Sequence, residues 1–481
     1  MALRVYNRLS GKLERFRPVD REQVRVFVSG PTVYDHAHLG HAKTYVAVDV
    51  ISRYLAFRGY QVRCVRSFAD LGQMSREEER RLSDTARRVG ITPMELVDSY
   101  IWSFHDDMDT LGVVRPNSSP RASCQVLSII AWIEDLVASG AAYVVDGGVY
   151  FAADRAGDYA RLLPAVTASQ QVGDDGRKAL SDFPLWRSQG EAGSLDWQSP
   201  WGVGHAGWHV ANSVIAEAYL GKTFDIHGGG TTHLVSQMAR QTAQGYARNG
   251  VAPSKYWLVV GDLRVAGRRM SRALGNHLTI KDALKLYAPE VIRYFLLSQP
   301  YREISEYRRE ALLAAQRHVD YLHQTVRHLR WRMQETLPST GAGTAAFSGA
   351  AVLPDYRQDF SDAMDSDFDT AQALSVVFRL VEDVDRTLAS DREVSLGTLS
   401  TLDKLFHELA GGVLGILPEG IELSGTGKLV EQLIEALLDV RADYVAERDW
   451  AKADAIRAKL DEMGVAVQDG PHGPSWQLQG S

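Results

Sequence analysis

The sequence predicts an α/β fold, with a parallel-sheet nucleotide-binding domain at its start and helical domains behind it. Three observations predict this. The short apolar run "VRVFVSG" at 24–30 leads into Gly-Pro, as a buried parallel strand entering a turn does. The stretch after it carries apolar residues at helical spacing (Val46, Val50, Tyr54, Leu55) and stops at Gly59. A second strand-like run, "QVRCVRSFAD", completes a β–α–β unit.

The bulk numbers suit such a chain. At 481 residues it is too long for one core, and roughly two to four domains are expected. A hydrophobic content of 45% and a charged content of 23% are those of a globular protein. The net charge of −7 weighs against a strongly basic nucleic-acid binder. It still leaves room for a local basic face, such as one carrying "RHLRWRM". Cys64 and Cys124 build no disulfide framework and have no C-x-x-C spacing. No apolar run approaches the ~18 residues of a membrane helix, so no membrane partner is expected. The N-terminal "MALRVYNRLSGKLERF" is charged, and a cytoplasmic location is expected.

Further along, 115–200 mixes short strands ("GGVYFAA") with a Gly-, Asp- and Ser-rich loop at 172–200, and reads as an insertion. Residues 207–260 return to a helix-then-strand pattern ending in "YWLVVGD". From about 281 to 415 the period is helical, broken by the low-complexity "STGAGTAAFSGAA" at 339–351, which reads as a linker. An amphipathic helix pair and a short tail close the chain.

Two motifs carry chemistry. "HLGH" at 38–41 opens a helix just after a strand, where backbone N–H groups and the helix dipole favour anions. Gly40 permits close approach, and His38 and His41 are potential donors to phosphate oxygens. In "GRRMSRALGN" at 267–276, Arg269 and Arg272 bracket Met270 and Ser271, and their charges suit a triphosphate. Each alone is commonplace, a capped turn and an ordinary basic loop. Together and in this order they resemble the HIGH and KMSKS signatures of class I aminoacyl-tRNA synthetases. "GPTVYDHAHLGHA", "YLGKTFDIHGGG", "IRYFLLSQPYR" and "DGPHGPSW" narrow the resemblance to the cysteinyl-tRNA synthetase family, over residues 4 to 478.

The resemblance implies a Rossmann-type class I synthetase catalytic domain (1–114 and 201–255) split by an insertion (115–200). A KMSKS-loop connection (256–310), a helical bundle (311–420) and a small anticodon-binding-like domain (421–481) would follow. The implied substrates are ATP with Mg²⁺ and an amino acid or related carboxylate. The carboxylate would attack the α-phosphate, and the acyl group would then pass to tRNA or, as in one relative, to a small-molecule amine. The retained C-terminal segment favours tRNA. His38, His41, Arg269 and Arg272 would be catalytic. ATP would meet Gly30, His38, Gly40, His41, Asp225, His227, Gly228, Gly229, Met270 and Ser271. The amino-acid pocket would hold Ser29, Thr32, Trp208, Asn212, Thr232, Gln237 and Gln241, although Trp208 also reads as plain core.

The chain departs from the family where zinc is bound. Two cysteines, a histidine and a glutamate hold it there; here the positions are Ser29, Asn212, Gln237 and Gln241. Neutral hydroxyls and amides are poor zinc ligands, so no zinc and no other metal site is expected. Without zinc the preference for a thiolate loses its source. The expected function is therefore an adenylate-forming ligase for an acid other than cysteine. The alternative is a silent paralogue that binds tRNA or a protein. A smaller departure is Thr232, where the family has an acidic residue.

Overall fold

The computed structural model describes residues 2–70, 76–162, 176–188, 196–272, 274–336, 355–389, 394–420, 425–446, 449–463, 465–470 and 473–478. The expected linker at 339–351 lies outside them, as do 172–175 and 189–195 of the expected loop at 172–200, whose Phe183–Ser188 is a strand.

The catalytic sheet is four-stranded and parallel. Its strands are Gln23–Val28, Gln61–Arg66, Phe224–Gly230 and Ser254–Val260. The first strand lies between the second and the third, with Ser254–Val260 at the edge beyond the third. Val26, Phe27 and Val28 pair with Cys64, Val65 and Arg66 on one side and with Ile226, His227 and Gly228 on the other. Strand order therefore reverses between the first and third strands. Ligands of open α/β sheets bind outside the carboxyl ends at such a reversal. Residues 29–30 and 230–231 stand there.

The helix Leu39–Phe57 covers one face of the sheet, burying Val46, Val50, Tyr54 and Leu55. The helices Trp208–Leu220 and Thr231–Asn249 complete the unit, with Thr231–Asn249 crossing from the third strand to the fourth. The span 207–260 thus runs helix–strand–helix–strand, one strand and one helix more than its sequence pattern indicates.

The insertion forms an antiparallel sheet of Ala142–Val145, Gly148–Phe151, Phe183–Ser188 and Gly204–Ala206, with its own core around Trp132, Phe151, Phe183 and Trp186. Its last strand, Gly204–Ala206, lies beyond residue 200 and immediately before Trp208–Leu220.

Behind the sheet, Pro289–Leu297 packs on Leu39–Phe57, and Arg309–Thr336 packs on Thr370–Leu388 and Leu396–Phe406. Arg293 is buried at this junction. It donates to Asp49 (2.7 Å), to the Leu111 carbonyl (3.1 Å) and to the Leu414 carbonyl (2.9 and 3.1 Å). The last segment has a separate small core of Ile434, Leu438, Leu460, Val465 and Val467. Its tail is a hairpin, Val465–Gly470 against Gly473–Leu478, where the sequence pattern shows only a short tail. No helix among the described residues is long and apolar enough to cross a membrane.

Candidate active site

The HLGH segment caps its own helix. His38 is the N-cap of Leu39–Phe57, and its Nδ1 accepts from the Gly40 N–H at 3.1 Å. His41 Nδ1 accepts from the His38 N–H at 3.2 Å. Each Nδ1 is an acceptor, so each neutral ring carries its proton on Nε2, as a donor. The rings lie 4.0 Å apart. A side chain at Gly40 would come within 2.8 Å of the His38 ring. Burial, helped by His277 and Arg269, pushes His38 down to about 4, so it is neutral at pH 7.

The basic loop stands opposite. Leu263–Val265 turns through Ala266 and Gly267, both at positive φ, into Arg268–Arg269, the backbone of a tight hairpin. Arg269 is exposed. Met270 is buried and donates its N–H to the Leu263 carbonyl at 2.8 Å, so it anchors the loop in the core rather than offering a side chain to a ligand. Asn276 fastens the loop by accepting from the Ser271 N–H and donating to the Arg269 carbonyl, both at 2.9 Å. Arg272 forms an ion pair with Asp35 and donates to the His36 carbonyl at 3.2 Å. The exit of the loop pairs with the entry to HLGH, through Leu39 N–H to the Leu278 carbonyl and Ile280 N–H to the Ala37 carbonyl, both 3.0 Å. The two motifs, far apart in sequence, are neighbours.

Ser29, Asn212, Gln237 and Gln241 meet at the strand reversal, all buried. Asn212 Nδ2 donates to Ser29 Oγ at 3.3 Å and to Gln237 Oε1 at 3.2 Å. Gln241 Nε2 donates to the same Gln237 oxygen at 3.3 Å, and Ser67 Oγ donates to Asn212 Oδ1 at 2.9 Å. Ser29 Oγ is 3.0 Å from His227 Nε2, and His227 stacks on Trp257 with ring centroids 4.2 Å apart. Burial alone pushes His227 down to about 3. This set of groups is therefore uncharged.

The separations of 3.2–3.3 Å between neighbours in this group are hydrogen-bond lengths, and the four positions do come together at one buried place. Their chemistry does not suit a metal. A hydroxyl and three amides supply no thiolate, imidazole or carboxylate, and here they donate to one another. These residues do not fit zinc.

Other expected site residues fall differently. Asp225 opens its strand at the far end of the sheet, and its carboxylate takes the backbone N–H groups of Val19 (2.5 Å) and Arg25 (2.8 Å). It ties the chain together away from the crevice. His227 joins the amide cluster rather than the HLGH group. Gly30 has a packing reason to be glycine, since any side chain would run into the Ser67 carbonyl. Gly228 faces Val48, and Gly229 faces Leu234 and Ser29. Trp208 is buried in the insertion's core. Thr32 bridges to Ala69 beside the first two strands. The Thr232 side chain lies outside those described. Ser67 was missed by sequence reasoning, because a lone serine after a strand gives no signal.

Comparisons with known proteins agree along the whole chain. Residues 15–317 match the class I (C) tRNA synthetase catalytic domain, 359–418 the DALR domain, and 430–476 the cysteinyl-tRNA ligase anticodon binding domain. The cysteine–tRNA ligase of Thermococcus onnurineus (strain NA1) is 36% identical, over 99% of this chain and 99% of its own length. That of Marinobacter nauticus is likewise 36% identical, with 99% of each covered. In fold, the chain resembles Mycobacterium tuberculosis methionyl-tRNA synthetase in complex with methionyl-adenylate. The TM-score is 0.61 at 15% identity, covering 83% of this chain and 92% of that one.

Proposed function

This chain belongs to the cysteinyl-tRNA synthetase family of class I adenylate-forming ligases, and from that premise we propose that it activates an amino acid other than cysteine, one with an uncharged side chain. The observation that carries the proposal is the buried run of hydrogen bonds from Ser29 through Asn212 and Gln237 to Gln241. Among the described residues, the four groups offer a thiolate no zinc ligand set and no cationic side chain. An ionised side chain of either sign would be buried without a counter-charge, at a cost of several kcal/mol.

The reaction needs positioning more than covalent help. The start of Leu39–Phe57 would hold the triphosphate, and Mg²⁺ bound to it would offset part of its charge. The Nε2–H groups of His38 and His41 donate to phosphate oxygens there. A carboxylate oxygen of the amino acid attacks the α-phosphorus, a new P–O bond forms, and the bond to pyrophosphate breaks. Arg269 and Arg272 bind the leaving pyrophosphate as its charge grows. Arginine in place of lysine keeps the charge but fixes a planar fork. A ribose hydroxyl of tRNA then attacks the acyl carbonyl and AMP leaves. The match of 430–476 to an anticodon-binding domain supports tRNA over a small amine as acceptor.

The test is ATP–pyrophosphate exchange with metal-quantified protein across standard and non-protein amino acids, followed by tRNA charging. Exchange with a neutral, non-cysteine acid at substoichiometric zinc is expected. Zinc-dependent exchange with cysteine would overturn the proposal. Silence with every acid would favour a binding-only paralogue.

A further inference from the structure

We infer that His277 is a third imidazole of the nucleotide site, donating a hydrogen bond to the phosphates of ATP or to pyrophosphate as it leaves. The inference rests on the ATP reading above and adds a residue that neither signature motif contains.

Three observations carry it. Backbone pairing between 37–39 and 278–280, with His38 bridged to Thr279, sets His277 beside the HLGH turn. Its ring centroid is 6.3 Å from that of His38. Its Nδ1 is buried and has no hydrogen-bond partner among the described residues. A buried polar atom left unpaired is costly, and at a ligand site the ligand is the natural partner.

The charges around it favour an anion. Arg272 on its own loop and Asp282 on Ile280–Leu284 face His277, while His277 and Arg269 face His38. Asp35 is engaged by Arg272. Burial first, then Arg272, holds His277 below its usual 6.5, against a smaller opposing pull from Asp282. Arriving phosphate charge acts in the other direction, because it favours the protonated ring. MgATP binding should then take up protons, and it should tighten as pH falls towards 6.5.

The test is calorimetric titration of the full-length protein with MgATP near pH 6.5 and pH 8, in buffers of different ionisation heat. ATP's own titration is common to all variants and cancels in the comparison. His277→Phe should bind MgATP about tenfold more weakly near pH 6.5 and take up fewer protons than wild type. His277→Asn, which places an amide N–H near the position of Nδ1, should recover most of the affinity but not the proton uptake. Unchanged affinity and uptake in His277→Phe would remove His277 from the site and leave the ATP reading standing. Should the phenylalanine variant not fold, His277→Asn decides alone, and wild-type proton uptake in it overturns the inference. Failure of the wild-type protein to bind MgATP would overturn the nucleotide reading, and His277 with it.

Discussion

Asn212 Nδ2 sits between Ser29 Oγ at 3.3 Å and Gln237 Oε1 at 3.2 Å, while its carbonyl takes the Ser67 hydroxyl at 2.9 Å. One buried amide on Trp208–Leu220 thereby joins the ends of two strands to the helix Thr231–Asn249. Ligand positions that had drifted at random would leave buried donors unpaired. Here hydroxyl and amides fall into mutually satisfying pairs, which is how buried polar groups persist.

Asn212→Leu should therefore be severely destabilising. It removes three hydrogen bonds and leaves the Ser67 O–H without its acceptor at a fully buried position, although Ser67 Oγ still accepts from the Gly30 N–H. The expected loss is about 2–4 kcal/mol, read as a lower urea midpoint. A loss within about 0.5 kcal/mol would mean that water or a bound solute already serves these groups.

Because the four positions still meet at one buried place, their metal chemistry should be recoverable. The combined variant Ser29→Cys, Asn212→Cys, Gln237→His and Gln241→Glu should bind roughly one zinc per chain and gain exchange activity with cysteine. Elemental analysis and the exchange assay check both. A folded variant that takes up no zinc would show that the surrounding shell has also changed.

How much of this was legible in the sequence differs by residue. The HLGH helix was, because its N-cap, apolar period and Gly59 stop agree with one another. The strand Phe224–Gly230 was not. Its Asp, His and glycines resemble a turn, and it is a strand because neighbours on both sides pair with it. Asp225 drew a site role from the family resemblance of "DIHGGG", but only the carboxyl end of a parallel strand faces the crevice. The convergence of Ser29 with Asn212 spans 183 positions, so no local pattern encodes it. The family resemblance supplied it. Nothing in the sequence pointed to His277, which is placed by pairing between two loops.

Arg293 gives a prediction about domain attachment. Its guanidinium is fully buried and joins Asp49 of Leu39–Phe57 to backbone carbonyls at Leu111 and Leu414. Arg53 also binds Asp49, at 2.9 Å, and reaches the Gly112 and Gly412 carbonyls at 2.6 and 3.2 Å. Arg293→Met leaves those carbonyls unpaired and one arginine for a buried carboxylate. Removing one partner of such a pair costs about 3–5 kcal/mol. Urea unfolding should show that loss, and limited proteolysis should show earlier cleavage near 412–415. Arg53→Met, at a partly exposed position, should cost clearly less. Equal effects would mean that Asp49, not the carbonyl contacts, dominates the junction.

Acid should weaken the fold through three buried histidines. Burial pushes His38 down to about 4, and His209 and His227 to about 3, from the usual 6.5. Below about 6.5 the unfolded chain binds protons that the folded chain refuses, so stability falls with falling pH. The loss approaches about 1.4 kcal/mol per pH unit for each histidine, until the folded-state value is reached. Native carboxylate pairs also protonate in acid, so the wild-type curve alone does not isolate the effect. His227→Phe does, because it keeps an aromatic ring against Trp257 and removes one titrating group. The variant should be less stable at pH 7, where it loses the bond to Ser29. Its deficit should shrink by about 1.4 kcal/mol per unit between about pH 6 and pH 4. Parallel urea-midpoint curves for the two proteins would show that His227 is protonated in the folded state over that range. That would place a charge in the pocket and undo the case for an uncharged substrate side chain.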